Sequence, residues 1–250
     1  MPLRSLGTLF ASLPFMILST DNYQRIYEQL RDEREAVRYH LRKNEKYMEK
    51  RMRSARTVPV WCCDTITMPK TGNTYLLYYY ALTWNEIRGG TCWSGAPLLV
   101  NDENGHRVAI MLRHMMERDT ETKEEIPYDT LQVYSGHFFS RYRERMGLSD
   151  KLSTNEVITA YFGRNEGYFA ELDYEKIVLE KNRHKGNSAF GIDDGVTLAE
   201  VTRLDGGLVV FKHNTFLSRR ELKDNQYDAT PSKDTMRMMS LAWELQRKGL

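Results

Sequence analysis

The sequence predicts an α+β protein: an antiparallel sheet with a long amino-terminal helix and short helices packed on it. Three observations predict this. From Asp21 to Arg56 good helix formers dominate and neither Gly nor Pro occurs. From Val58 to Ser135 β-branched and aromatic runs alternate with turn clusters, and a further such pair spans residues 196–216. Between them lie two short segments of helical periodicity. The chain then divides into an amino-terminal segment with the long helix (1–56), a β-rich part (57–126) and an α+β part (127–250) holding a helix at 136–147 and a hairpin at 196–216.

In the long helix Tyr23, Tyr27, Leu30, Val37, Leu41 and Met48 follow a 4,3 spacing, with Arg34 and Asn44 interrupting the seam. That stripe suits a sheet or a partner helix, so a homo-oligomer through this helix is one expectation. VPVWCCDTIT, the turn PKTGN and TYLLYYYALTW read as a hairpin, PLLVN, DENG and HRVAIMLRHM as a second, and IPYDTLQVYS as one more strand. Ser153 and Glu156 form a capping box for a helix that ends at Gly163. Asn182 to Gly195 reads as a loop, and GVTLAEVTRL, DGG and LVVFKHNTFL form a hairpin. Its register sets either His213 or Phe211 opposite Glu200. A last helix runs from Lys233 to Lys248, before Gly249.

The 36 Lys and Arg against 34 Asp and Glu leave a net charge of +2, so any basic site must be local. Cys62, Cys63 and Cys92 make neither a metal cluster nor a disulfide framework, which fits a reducing compartment, the cytoplasm. The opening run MPLRSLGTLFASLPFMIL is too short to cross a bilayer; the alternative to a cytoplasmic chain is an amino-terminal signal peptide, or a natural start at Met16. The phosphate-cradling GxxxxGK, the dinucleotide GxGxxG, HExxH, paired CxxC and GxSxG are all missing from the sequence.

SGHFFSRYRERMGL, residues 135–148, is the densest run of functional side chains. On a helix Phe138, Phe139, Tyr142 and Met146 share an inward arc, while His137, Arg141 and Arg145 stack at i, i+4 and i+8 on the neighbouring edge. Gly147 suits the left-handed position that closes the helix. An imidazole that titrates near neutral pH beside two guanidiniums suits phosphoryl chemistry without a metal. The bland alternative is a solvated face, because Glu144 can pair with Arg141.

This stretch with the helix after it looks like the pattern HAxxRMxERGIxxxxVxxAL of small toxin-like proteins in the RelE and barnase-like ribonuclease superfamily. The matching positions are His137, Arg141, Glu144, Arg145, Gly147, Leu148, Val157 and Ala160, within a resemblance that covers residues 128–222. The chain is otherwise similar to uncharacterised proteins of phages and mobile elements. The resemblance implies a metal-independent endoribonuclease with no cofactor, whose partner is RNA or another nucleic acid. In that scheme His137 is the general acid or base on a ribose 2′-hydroxyl, and Arg141 and Arg145 stabilise the phosphate. Lys212 or His213 is the second proton or charge partner, and Arg143, Thr215, Ser218 and Arg219 bind substrate. The alternative is a noncatalytic nucleic-acid-binding or assembly protein.

Overall fold

A computed structural model of the chain describes residues 16–90, 92–118, 125–165, 170–178, 186–224, 226 and 230. The apolar run up to residue 15 and the helix expected at 233–248 lie outside the described residues. In chain order the elements are α1 (Tyr23–Arg53), β1 (Val60–Thr67), β2 (Thr74–Ala81), α2 (Trp84–Gly89), β3 (Trp93–Gly95), β4 (Leu98–Asn101), β5 (Arg107–Arg118) and β6 (Glu125–Tyr134). They continue with α3 (Gly136–Met146), α4 (Thr154–Asn165), β7 (Ala170–Leu172), α5 (Tyr174–Ile177), β8 (Ser188–Ile192), β9 (Gly195–Arg203) and β10 (Val209–Ser218), which closes on a 3-10 turn at Arg219–Glu221.

The ten strands form one sheet in the order β1-β2-β4-β5-β6-β10-β9-β8-β7, with β3 also on β2. Every pairing is antiparallel except that of β6 with β10. The expected α+β class is the observed one. The β-rich part and the carboxy-terminal part share this sheet, because β5 and β6 pair along its centre from Ala109↔Tyr134 to Arg118↔Glu125.

Helices cover both faces, so the period-2 alternation of each strand buries side chains on either side. On β2, Leu76 and Tyr78 point into a core completed by Phe138, Phe139 and Tyr142 of α3 and Val157, Ile158, Tyr161 and Phe162 of α4. Tyr75 meets Ile26, Leu30 and Val37 of α1 on the opposite face, while Leu77 and Tyr79 meet Met48 and Met52. The apolar seam of α1 is thus buried against the chain's own sheet, each Leu- or Met-sized side chain contributing about 1.5–3 kcal/mol. The stripe expected to serve an oligomer is used inside the fold. Asn22 caps the helix by accepting the Arg25 N–H at 2.8 Å, and Lys50, Arg51 and Arg53 complement the dipole at its end.

Three local expectations are corrected. The segment read as a loop, Asn182 to Gly195, contains β8, whose Ala189, Phe190 and Ile192 are buried by pairing with β9. The helix expected to stop at Gly163 runs on to Asn165, and Gly163 serves close packing within it instead: a Cβ there would come within 2.2 Å of the Tyr80 ring. The last hairpin adopts neither expected register. Leu204 and Leu208 close a three-residue loop, which sets Lys212 opposite Glu200 and His213 opposite Ala199.

Candidate functional site

The wheel drawn for α3 is realised: Phe138, Phe139 and Tyr142 are buried, Met146 packs partly against them, and His137 is exposed. Ser135 caps the helix by accepting the Phe138 N–H at 3.1 Å, and Gly147 closes it in the left-handed conformation at φ 61°. The charged edge is engaged with this chain. Arg141 donates to Glu144 at 2.9 Å, while Arg145 donates to the Phe216 carbonyl and pairs through Nε with Glu221 at 3.1 Å. Arg143 reaches the Leu152 carbonyl at 2.7 Å on the other flank. A cavity of about 410 Å³ between α3 and α4 is lined by Ser140, Arg143, Glu144 and Asp150, and not by His137, Arg141 or Arg145.

The β10 candidates do not join that edge. His213 is 0% exposed and stacks on Tyr134 with 4.2 Å between ring centroids. Its Nε2 lies 2.7 Å from Gln132 Oε1, which only accepts, so Nε2 carries the proton and Nδ1 accepts from the Thr197 hydroxyl at 3.2 Å. Burial, reinforced by Arg113, pushes the imidazole down to about 3. Such a group is a neutral core residue with no exposed surface from which to exchange a proton.

Lys212 sits on the opposite face and is exposed. The strand register shifts between His213 and Thr215, a bulge that moves Thr215 away from the imidazole's face to pair with Leu198. Ser218 and Glu221 cap each other, with the hydroxyl donating at 2.8 Å. Arg219 donates from Nε to the Asp193 carbonyl at 3.1 Å and holds the β8–β9 turn. The last two are therefore bound to the chain itself.

Two constellations escaped the sequence reading. The first is buried: Asp194 accepts Arg164 Nε at 2.8 Å and Nη2 at 2.7 Å, the Tyr142 hydroxyl at 2.6 Å and Asn165 Nδ2 at 3.0 Å. Burial alone would raise its carboxyl, but the hydrogen bonds and charge of Arg164 outweigh this and hold it below the usual range. Three of these donors converge on Oδ2 and Arg164 Nη2 takes Oδ1, so the cluster ties α3, α4 and the β8–β9 turn together and is structural.

The second is a split in the sheet. β3 and β4 lie along β2 in one continuous register, interrupted at Pro97, which has no N–H to give. β4 pairs with β5 only from Asn101↔Arg107 to Leu98↔Ile110, and beyond it β3 and β5 diverge. The wedge is a groove of about 500 Å³ roofed by α1 through Leu30, Arg34, Val37, Arg38 and Leu41. Tyr75 and Ile110 line it from the sheet, Trp93, 43% exposed, stands on the β3 side, and Arg113 and His114 stand on β5.

His114 lies directly across the strands from Asp129, and its Nδ1 contacts Asp129 Oδ1. Asp129 Oδ2 accepts the Tyr27 hydroxyl of α1 at 2.7 Å, a bond that, followed by burial, raises the phenol. Arg31 stacks over that ring at 5.7 Å. The imidazole is oriented by a carboxylate with its ring 48% exposed, and among the described residues its Nε2 has no hydrogen-bond partner. Histidine and aspartate were visible in HRVAIMLRHM and IPYDTL, but only the β5·β6 register makes them neighbours.

Alongside the groove, α1 presents a basic outer face. From Arg38 to Arg53 seven Lys or Arg residues accompany two Glu, an excess of five against +2 for the whole chain. Tyr39 and Tyr47, 57% and 58% exposed, stand among Arg42, Lys43, Lys46 and Lys50. Burial pushes the thiols of Cys62 and Cys92 up to about 11 and also raises Cys63, which disfavours the thiolate at all three. Among the described residues no group of three or more His, Cys, Asp or Glu side chains is placed to hold a metal ion, and no helix is long and apolar enough to cross a membrane. No family model matches the chain, and no curated protein or solved structure shows significant similarity to it.

Proposed function

We propose that this chain binds single-stranded nucleic acid along the outer face of α1 and into the adjoining groove. The observation that carries this reading is the coincidence of a local basic excess with exposed aromatic rings on one helix face, since cations track phosphates and rings stack on unpaired bases. A duplex offers no free base faces to Tyr39 and Tyr47, so the single strand is the better match.

Cleavage at the α3 edge, with His137 as acid or base, has less support. Arg145 is bound to Phe216 and Glu221, Arg141 is paired with Glu144, and His213 has no exposed surface from which to exchange a proton with substrate.

Fluorescence anisotropy with labelled single-stranded RNA and DNA at graded salt tests the proposal. Three phosphate contacts on single strands steepen the dependence of log K on log salt by about 2, so K43E/K46E/K50E should flatten it by that amount. Tyr39→Ala with Tyr47→Ala should weaken binding by about 1–3 kcal/mol per base lost. Unchanged affinity in both variants refutes the surface, and binding that ignores salt refutes the mode.

A further inference from the structure

We infer that the groove is also a phosphodiester-cleaving site for RNA, in which His114 is the general base and Asp129 its positioning residue. The inference rests on the single-strand-binding reading and adds a reaction to it.

The geometry that points here is the pairing of an oriented imidazole with a cationic, partly apolar groove. Asp129 contacts Nδ1 and leaves Nε2, the atom without a partner among the described residues, to take a proton from a ligand. Tyr27 fixes the second carboxylate oxygen, so Asp129 is held from both strand and helix. Arg34 lies on the roof of the same groove and supplies charge where phosphoryl oxygens would gather it, beside Arg38, which pairs with Glu35 at 2.8 Å. Trp93, the apolar roof residues Leu30 and Val37, and Ile110 on the sheet side suit one unstacked base, and about 500 Å³ lies within the range of small-ligand sites.

The lining also selects the substrate. The groove carries no Ser, Thr or Cys among its lining residues, so the base has no protein nucleophile to activate. A substrate that brings its own hydroxyl answers this, and the ribose 2′-hydroxyl lies beside a phosphodiester. In the step, Nε2 takes the 2′-hydroxyl proton and the 2′-oxygen bonds to phosphorus. The P–O5′ bond breaks, and its electron pair leaves on O5′, which takes a proton from water. The imidazolium then returns its proton to the hydroxide formed. The products are a 2′,3′-cyclic phosphate and a 5′-hydroxyl, with no net gain or loss of protons.

The test incubates the full chain, in EDTA, with a mixed-sequence RNA oligonucleotide and its all-deoxy counterpart, scoring anisotropy and product ends in parallel. Both strands should bind, and RNA alone should be cut, to fragments ending in cyclic phosphate. H114A should still bind RNA yet cleave the bound strand at least about 100-fold more slowly, and added imidazole should restore part of the rate. D129N should lower kcat with little change in KM, which a merely structural loss would not do. H137A should cleave as wild type does. Bound but intact RNA, or H114A cutting at the wild-type rate, overturns the inference and leaves the binding reading standing. Absence of binding by either strand overturns that reading and this inference with it.

Discussion

Replacing His213 by Gln isolates a single buried proton site, and its effect is a slope with pH rather than a fixed loss. In the folded chain burial holds this imidazole near 3, whereas in the unfolded chain it returns to its ordinary value of about 6.5. Between those values the unfolded state takes up a proton that the folded state refuses, so stability is at its full level above pH 6.5 and declines as pH falls toward 3. One proton corresponds to about 1.4 kcal/mol per pH unit, so the wild type should lose about 2 kcal/mol between pH 6.5 and 5. The lowered carboxyl of Asp194 has the same sign but acts below its ordinary 3.8, outside this range. Urea unfolding followed by tryptophan fluorescence at pH 7, 6 and 5 reads the midpoint and slope. His213→Gln can still hydrogen-bond near Gln132 and Thr197 but cannot titrate; it should be less stable at pH 7 and much flatter with pH. Parallel pH profiles for the two proteins, or a wild type with no loss by pH 5, would refute the placement of a neutral imidazole in this core.

Three further substitutions probe how the helices are locked to the sheet. Arg164→Met leaves the Asp194 carboxylate buried without its cation and should cost about 3–5 kcal/mol, against about 1.5–3 kcal/mol for Tyr142→Phe, which removes one hydrogen bond; denaturant midpoints rank them, and the reverse order would show that the ion pair is not the centre of the cluster. Gly163→Ala drives a methyl into the buried Tyr80 ring and should lower stability by about 1–3 kcal/mol in thermal unfolding; a neutral result would mean that α4 does not approach β2 so closely.

Short-range periodicity and capping made several elements legible in the residues alone. The Gly- and Pro-free run gave α1 to within a few residues, and the wheel and Gly147 gave α3, its buried arc and its end. Strand runs and turn clusters placed both early hairpins, and the α+β class followed from them. Which chemistry meets which depends instead on long-range packing. A strand histidine reads the same whether it is catalytic or sealed in a core, and the bulge at Asn214 and the parallel pairing with β6 put His213 under α3 rather than in a cleft. His114 and Asp129 are 15 residues apart in sequence and opposed only because β5 and β6 pair in one particular register. The groove itself has no local signature: it exists because β4 leaves β5 after four residue pairs and α1 bridges the opening. Register, strand order and the faces that helices cover are settled by burial summed over the whole sheet, and no window of residues contains that sum.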